Sequence, residues 1–193
     1  MVIVITGPIA SGKSTIAREL ARELERIPER VAVIDLDLLY EMLTPDGPKS
    51  DVANWTLARH AAATLANIFL EEGVTVVIAE GSFNTPSDRA VFAQHLHTSV
   101  GPLYVSLRVS FEEALRRAQS DPTRGSSRDP GFLGRYYAAV GQALATVPAT
   151  DVVIDTERTT ATSAALAIAS LVRPHVVAPA VGSDDRTHPD QRS

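Results

Sequence analysis

The sequence contains no cysteine, and its only two lysines among 193 residues are Lys13 and Lys49. The absence of cysteine excludes disulfides, thiolate metal sites and catalytic thiols. Aromatic residues make up only 5% of the chain, so the core must consist mainly of alanine and aliphatic side chains. The hydrophobic fraction of 45% and the charged fraction of 21% are typical of a globular domain.

The chain also lacks any apolar run long enough to cross a bilayer, and its formal net charge is −5. A negative balance argues against a general nucleic-acid-binding surface. The apolar run at residues 2–5 is too short for a signal sequence, and no basic segment precedes it. We therefore expect a cytoplasmic protein with neither nucleic-acid nor membrane partners. Its oligomeric state is left open.

Five short apolar segments alternate with longer segments of helical period. The apolar segments are 2–6, 31–35, 74–79, 102–109 and 151–155. The third shows no alternation of polar residues, which indicates burial on both faces and is typical of a parallel strand covered by helices. The pattern predicts an α/β fold with an open, doubly wound sheet. We expect one domain over residues 1–172, with a mobile lid at about 116–131 and a weakly ordered tail at 173–193.

The first predicted strand leads directly into a glycine-rich motif. Residues 7–14 read Gly-Pro-Ile-Ala-Ser-Gly-Lys-Ser, which matches G-x-x-x-x-G-K-[ST] at every fixed position. Such a loop turns backbone N–H groups toward phosphate at the positive end of the following helix. We expect Lys13 to reach the β- and γ-phosphates of ATP and Ser14 to bind Mg²⁺. The predicted phosphate contacts are Gly7, Pro8, Ile9, Ala10, Ser11, Gly12, Lys13, Ser14 and Thr15.

Two carboxylates, Asp35 and Asp37, follow the second predicted strand. Ligands bind at the carboxyl ends of parallel strands, and alternation along an extended chain would place both side chains on one side. We assign Asp37 as the base that accepts the proton of the substrate hydroxyl, and Asp35 as a water-mediated Mg²⁺ ligand. The alternative is a helix cap beside a solvated carboxylate, because a short helix is predicted at 38–43.

The phosphate loop, the Asp-x-Asp pair and an arginine-rich loop after the fourth strand together resemble the small P-loop metabolite kinases. That group includes shikimate kinase, gluconate kinase, adenylylsulfate kinase and chloramphenicol phosphotransferase. The run Asp37-Leu-Leu-Tyr-Glu-Met is most similar to the corresponding stretch of chloramphenicol phosphotransferase, in which the matching Asp is the proposed base. The resemblance implies a P-loop fold with a five-stranded parallel sheet in the order 2-3-1-4-5.

Polar residues around the third strand are candidates for acceptor binding. Glu80 follows the predicted strand. It either contacts the substrate or a water bound to Mg²⁺, or it is a surface carboxylate. Ser82, Phe83 and Asn84 lie where a substrate pocket is expected. Arg59 is predicted on an exposed helix surface, and Arg89 near the start of the next helix. Each arginine either meets the acceptor or is solvated.

The arginine-rich segment supplies candidates for charge stabilisation. A transferring phosphoryl group spreads negative charge over its oxygens, and arginine donors stabilise that charge. Arg117 and Arg124 are the predicted catalytic arginines, and Arg128 is a candidate for substrate binding. One of Arg116 and Arg117 must face away from the site, because adjacent helix positions diverge by about 100°. The resemblance implies that the adenine lies beside Thr156, after the fifth strand.

The sequence predicts an ATP-dependent phosphotransferase that acts on a hydroxyl of a small molecule, such as an antibiotic or a sugar-like metabolite. A nucleoside, nucleotide or polynucleotide-end kinase is one alternative, and the acidic balance argues against its polynucleotide form. A nucleotide-gated regulatory ATPase is the second. No Asn-Lys-x-Asp guanine motif occurs, since neither lysine follows an asparagine.

Overall fold

One five-stranded parallel sheet organises the chain. The computed structural model describes residues 1–26, 30–45, 47 and 49–176. The sheet order is β2-β3-β1-β4-β5, which confirms the order implied by the resemblance to the small P-loop kinases. Its strands are β1 (Val2–Thr6), β2 (Val31–Asp35), β3 (Val76–Gly81), β4 (Leu103–Arg108) and β5 (Val152–Asp155).

Helices connect the strands and cover both faces of the sheet. They are α1 (Lys13–Leu24), α2 (Leu36–Glu41), α3 (Val52–Glu71), α4 (Pro86–Gln94), α5 (Phe111–Ser120), α6 (Pro130–Ala145) and α7 (Ala161–Val176). A short 3₁₀ turn, Ser126–Arg128, lies inside the predicted lid. Helix α7 passes the predicted domain boundary at residue 172, and the remainder of the predicted tail, 177–193, lies outside the described residues.

The central strand β1 divides the core into two apolar layers, because successive side chains of a strand point to opposite faces. Ile3 and Ile5 pack with α1 and α7. Val2 and Val4 face the other layer, which includes the small side chains of α3. Every residue of β1 is buried, so the loop that follows it starts from a rigid position.

A close approach between Gly81 and Leu36 brings the ends of β3 and α2 together. Gly81 has a φ of +150°, and a Cβ atom on it would lie 2.5 Å from the Cβ of Leu36. Only glycine allows this contact without displacing the start of α2. The register pairs Asp35 with Glu80 on the neighbouring strand. The acidic residues of β2, α2 and β3 therefore meet at one edge of the sheet.

Candidate active site

The loop between β1 and α1 has the backbone that its sequence predicts. Gly12 has a φ of +91° and Ala10 a φ of +61°, and Gly7 packs so closely that a Cβ would lie 2.9 Å from the carbonyl oxygen of Leu107. Gly12 caps α1 without a side-chain hydrogen bond, and no acidic residue lies in the first turn. The N–H groups at the start of α1 thus have no side-chain cap, and the helix dipole favours an anion there.

Lys13 folds back over this loop. Its Nζ donates hydrogen bonds to the carbonyl oxygens of Gly7, at 3.2 Å, and Pro8, at 3.1 Å. Burial lowers the pKa of Lys13, and the negative charges of Glu80 and Asp37 act against that shift. A partly buried ammonium group beside an open helix N-terminus fits a polyphosphate, which would replace the two carbonyl oxygens as its partner.

Ser11 adds a second sign that the loop fits a phosphate ligand. Its Oγ is buried and has no hydrogen-bond partner among the described residues. An orphaned buried hydroxyl costs stability unless a ligand or water supplies the partner. The residues present therefore fit the phosphates of a nucleotide.

Glu80 lies inside β3 rather than after it, because the strand begins and ends two residues later than predicted. The side chain is only 3% exposed, so the alternative of a surface carboxylate is wrong. Burial raises the pKa of Glu80 to about 7, and a hydrogen bond from the Ser14 hydroxyl acts in the opposite direction. Ser14 and Glu80, both predicted near Mg²⁺, thus act on each other.

A Mg²⁺ ion would find few protein ligands here. No group of three or more His, Cys, Asp or Glu side chains is arranged to hold a metal in the described part of the chain. Magnesium in phosphoryl-transfer sites is held by one or two carboxylates together with substrate phosphates. Ser14 and Glu80 fit that limited role, and the assignment of Ser14 and Asp35 as metal ligands stays a prediction.

Asp35 and Asp37 do not lie on one extended segment, so the predicted alternation of their side chains does not apply. Strand β2 ends at Asp35 and α2 begins at Leu36, so Asp37 lies in the first helical turn. Asp35 caps that helix, with Oδ1 accepting from the N–H of Asp37 at 2.8 Å and of Leu38 at 3.4 Å. The cap role, which the sequence left open, is therefore present. Asp37 remains half-exposed, and its charge still acts on both Lys13 and Glu80.

Arg59 is not the exposed helix residue that the sequence predicts. It is 6% exposed, and its Nε and Nη2 donate to the carbonyl oxygen of Ser82 at 3.1 and 2.8 Å. Its Nη2 also lies 2.9 Å from a carboxylate oxygen of Asp88. The guanidinium thus fixes the segment after β3, and its contact with an acceptor stays a prediction.

Arg89 is held within the protein and is not solvated. Its guanidinium forms two 2.8 Å hydrogen bonds with the buried carboxylate of Asp151 and donates to the carbonyl oxygen of Phe83 at 3.1 Å. The ring of Tyr104 lies 4.4 Å from its central carbon. These contacts join α4 to the segment before β5. A role for Arg89 in acceptor binding stays a prediction.

The arginines of α5 diverge as the helix geometry requires. The side chain of Arg116 is 67% exposed, whereas Arg117 is 26% exposed and reaches Thr156. Arg117 donates to the Thr156 hydroxyl at 3.0 Å and to its carbonyl oxygen at 2.7 Å. Both arginines also bind Glu113, whose pKa they lower to about 2. Arg117, a predicted catalytic arginine, and Thr156, which the resemblance places beside the adenine, therefore touch each other.

The remaining lid arginines differ in their surroundings. Arg124 lies 3.3 Å from Asp121, and its positive charge contributes to lowering the pKa of Lys13. The positive charge of Arg124 therefore acts on the lysine of the phosphate loop. Arg128 is exposed at the end of the 3₁₀ turn. The structure thus brings Arg124, but not Arg128, into electrostatic range of Lys13.

A cleft of about 400 Å³ opens next to the phosphate loop where β4 and β5 end. Its lining includes Pro8, Arg108, Ser110, Asp155 and Glu157. The backbone N–H of Thr156 donates to the carbonyl oxygen of Arg108 at 3.0 Å, which fixes the turn at the edge of this region. The cleft lies beside the turn after β5, where the resemblance to the small kinases implies the adenine.

Comparison with known proteins shows the family. The sequence profile of the AAA domain family matches residues 2–129, which is more than half of the chain. The chain belongs to the AAA domain family. This AAA domain is also 26% identical over 129 residues to shikimate kinase from Thioalkalivibrio sulfidiphilus (strain HL-EbGR7). That match covers 63% of the chain and spans 60% of the kinase's length.

Solved structures resemble this AAA domain over nearly its whole length. APE1195 is 25% identical, with a TM-score of 0.64 and coverage of 90% of this chain and 95% of that protein. Shikimate kinase from Acinetobacter baumannii, in complex with shikimate, is 19% identical, with a TM-score of 0.57 and coverage of 92% and 95%. A gluconokinase from Sinorhizobium meliloti 1021 is 16% identical, with a TM-score of 0.57 and coverage of 90% and 95%. These comparisons confirm the P-loop fold and the predicted resemblance to the small metabolite kinases.

The AAA domain has further site residues that the sequence did not indicate. Lys49 lies 2.8 Å from Glu41 and 3.7 Å from Asp37, so a charge from the loop before α3 reaches the predicted base. Tyr136 on α6 places its hydroxyl near the phosphate loop and the end of β3. Lys49 is conspicuous only as one of two lysines, and nothing in the sequence around Tyr136 distinguished it from a packing residue.

The part of this AAA domain that the structure describes contains no helix with both the length and the apolar character needed to cross a membrane.

Proposed function

We propose that this protein is an ATP-dependent kinase that transfers the γ-phosphoryl group to a hydroxyl of a small molecule. The observation that carries the proposal is the position of Lys13. Its ammonium group is partly buried over the phosphate loop and lies within electrostatic range of Asp37, Glu80 and Arg124. The charges of the candidate base Asp37 and the lid residue Arg124 thus both act on the phosphate-binding Lys13.

The residues divide the reaction between them. The loop N–H groups and Lys13 hold the phosphates, while Arg117 and Arg124 stabilise charge on the transferred group. Mg²⁺ on Ser14, with Asp35 in contact through water, would neutralise the phosphate oxygens. Asp37 accepts the proton of the acceptor hydroxyl. The hydroxyl oxygen bonds to the γ-phosphorus, and the bond between the γ-phosphorus and the bridging oxygen of the β-phosphate breaks. The products are ADP and a phosphate ester.

The acceptor is proposed to be an antibiotic or a sugar-like metabolite. Support comes from the polar groups that follow β3, where Thr6 fixes both Phe83 and Asn84 by hydrogen bonds of 3.0 and 3.1 Å. The similar proteins named shikimate kinase and gluconokinase support the same class of small hydroxylated acceptor. We further propose that ATP is the phosphoryl donor and that the protein works in the cytoplasm.

The decisive experiment measures ADP release from Mg²⁺ and ATP in the presence of a panel of hydroxylated metabolites and antibiotics. Stimulation by an acceptor, with a phosphate ester detected by ³¹P NMR, supports the proposal. Stimulation only by nucleosides, nucleotides or polynucleotide ends would favour the alternative of a kinase that phosphorylates those substrates. Turnover that no acceptor changes would favour a regulatory ATPase. Absence of any ATP binding by calorimetry would overturn all three.

A further inference from the structure

The hydroxyl of Tyr136 is a buried polar group with no contact in hydrogen-bonding geometry among the described residues. It nonetheless lies close to a ring of polar groups. The side chains of Asn84 and Ser82 and the backbone of Ile9 interact with it, and the charge of Asp37 acts on it. A buried hydroxyl without a partner costs stability unless something else binds it. Its neighbours are those of the proposed acceptor site.

The neighbouring residue Tyr137 provides an internal comparison. It lies on the same helix, and its hydroxyl donates to the carbonyl oxygen of Ile9 at 3.2 Å. Tyr137 therefore uses its polar group to attach α6 to the phosphate loop. Tyr136, one position earlier, directs an equally polar group toward Ser82 and Asn84 but makes no such bond.

The basic side chains around this region are balanced by carboxylates. Arg59 is paired with Asp88 at 2.9 Å, and Arg89 is paired with Asp151 through two short hydrogen bonds. Both guanidinium groups also donate to carbonyl oxygens of the segment after β3, as described above. Their charge is thus largely neutralised within the protein.

Lys49, the basic group nearest to the predicted base, is likewise balanced. It lies 2.8 Å from Glu41 and 3.7 Å from Asp37, so one ammonium group faces two carboxylates. An anionic group entering beside Asp37 would meet more negative than positive charge. Like charges at such distances repel, and burial strengthens the repulsion. An uncharged group that forms hydrogen bonds would not meet this penalty.

We infer that the acceptor is an uncharged, hydroxyl-bearing molecule, and that the Tyr136 hydroxyl binds it beside Asn84 and Ser82. This inference rests on the proposed kinase function and narrows its substrate class. Lys13 and the lid arginines serve the nucleotide phosphates, and the paired arginines position the pocket wall. Discrimination between acceptors then depends on hydrogen bonds and on the absence of surplus positive charge.

The first test compares acceptors that differ in charge but little in shape. ADP release and ³¹P NMR are measured with shikimate against methyl shikimate, gluconate against sorbitol, and a set of uncharged hydroxylated antibiotics. We expect transfer to uncharged members, with kcat/KM at least tenfold above that of a matched acid. Transfer that prefers the acids overturns the inference but leaves the kinase proposal standing. Transfer to no compound of either kind counts against both.

The second test uses Tyr136→Phe, with Tyr137→Phe as the matched control. We expect Tyr136→Phe to raise the KM for an uncharged acceptor roughly three- to tenfold, the usual effect of one lost hydrogen bond, without changing the KM for ATP or lowering Tm. Tyr137→Phe should lower Tm, because it removes the bond to Ile9. A Tyr136→Phe variant with lower Tm and an unchanged acceptor KM would show a structural role and overturn the assignment.

Discussion

The hydroxyl of Ser14 acts on the carboxyl group of Glu80 and favours its ionised form, and this interaction links the first turn of α1 to the end of β3. Glu80 is buried, and desolvation raises its pKa from 4.5 to about 7. The negative charges of Asp35 and Asp37 contribute to the same shift, while Lys13 acts against it. The phosphate loop and the acidic edge of the sheet are therefore electrostatically linked.

This shift predicts a specific pH dependence of stability. Between pH 4.5 and 7 the folded protein holds a proton on Glu80 that the unfolded chain has released. The free energy of unfolding should therefore fall as pH rises through that window, by at most about 1.4 kcal/mol per pH unit from this group. Urea unfolding across the window should show a smaller fall for Glu80→Gln than for the wild type. Equal slopes would contradict the assigned pKa.

Lys13→Ala should abolish phosphoryl transfer, with a loss of at least about 10²-fold, while the fold persists. The side chain is held for its charge, and burial of that charge is unfavourable, so its removal should cost little stability. Steady-state kinetics and thermal unfolding check both parts. Arg18→Ala removes one positive charge from the exposed surface of the same helix and should leave activity intact. Normal transfer by Lys13→Ala would end the kinase assignment.

Asp37→Asn should lower kcat by about 10²- to 10⁴-fold while ATP still binds, because the amide keeps the shape but accepts no proton. Calorimetry with Mg²⁺ and ATP measures the binding. The control is Glu41→Gln, which also removes a carboxylate from Lys49 but leaves the predicted base. If Asp37→Asn loses ATP affinity instead of turnover, Asp37 has a metal-binding role.

Arg117→Ala should weaken ATP binding at least roughly threefold and lower the unfolding free energy by about 1–2 kcal/mol, because two hydrogen bonds to Thr156 disappear. Arg116→Ala is a matched control. It removes a neighbouring arginine that shares Glu113 but is mostly exposed, so a change within about 0.5 kcal/mol is expected. Calorimetry and urea unfolding measure the pair. Equal effects of the two variants would exclude a special role for Arg117.

The Arg89–Asp151 pair should be a stability element. Arg89→Met leaves the buried Asp151 carboxylate without its cationic partner, at an expected cost of about 3–5 kcal/mol. Arg22→Ala breaks an exposed pair with Glu19 and should cost about 0–1 kcal/mol. Thermal and urea unfolding provide the comparison. A stable Arg89→Met protein with a raised acceptor KM would instead restore Arg89 as a substrate-binding residue.

The sequence predicted the features that depend on local chemistry. The loop at residues 7–14 and the buried strands β1 and β3 follow from short-range patterns, and the structure contains them. The limits of local pattern appear at Glu113, which lies three residues after the helix cap Ser110, at the spacing of a capping box. Its carboxylate binds Arg116 and Arg117 instead, because charged partners on the same helix compete with a backbone N–H.

The arginines show what a linear pattern leaves undecided. Arg59, Arg89 and Arg117 are all possible substrate or nucleotide contacts in the sequence. Only the fold reveals that Arg59 and Arg89 are buried against Asp88 and Asp151. Those partners lie on other elements or far along the chain, and no short-range spacing indicates which carboxylate a long cationic side chain will meet.

By itself the sequence determined a parallel α/β sheet and a phosphate-binding loop, because strand burial and backbone permissiveness are properties of short segments. The tertiary structure decided the charge of the surroundings. It buried Glu80 in β3, turned Asp35 into a helix cap and paired the nearby arginines with carboxylates. Solvent exposure and long-range charge set pKa values and selectivity, and both arise only when distant segments pack together.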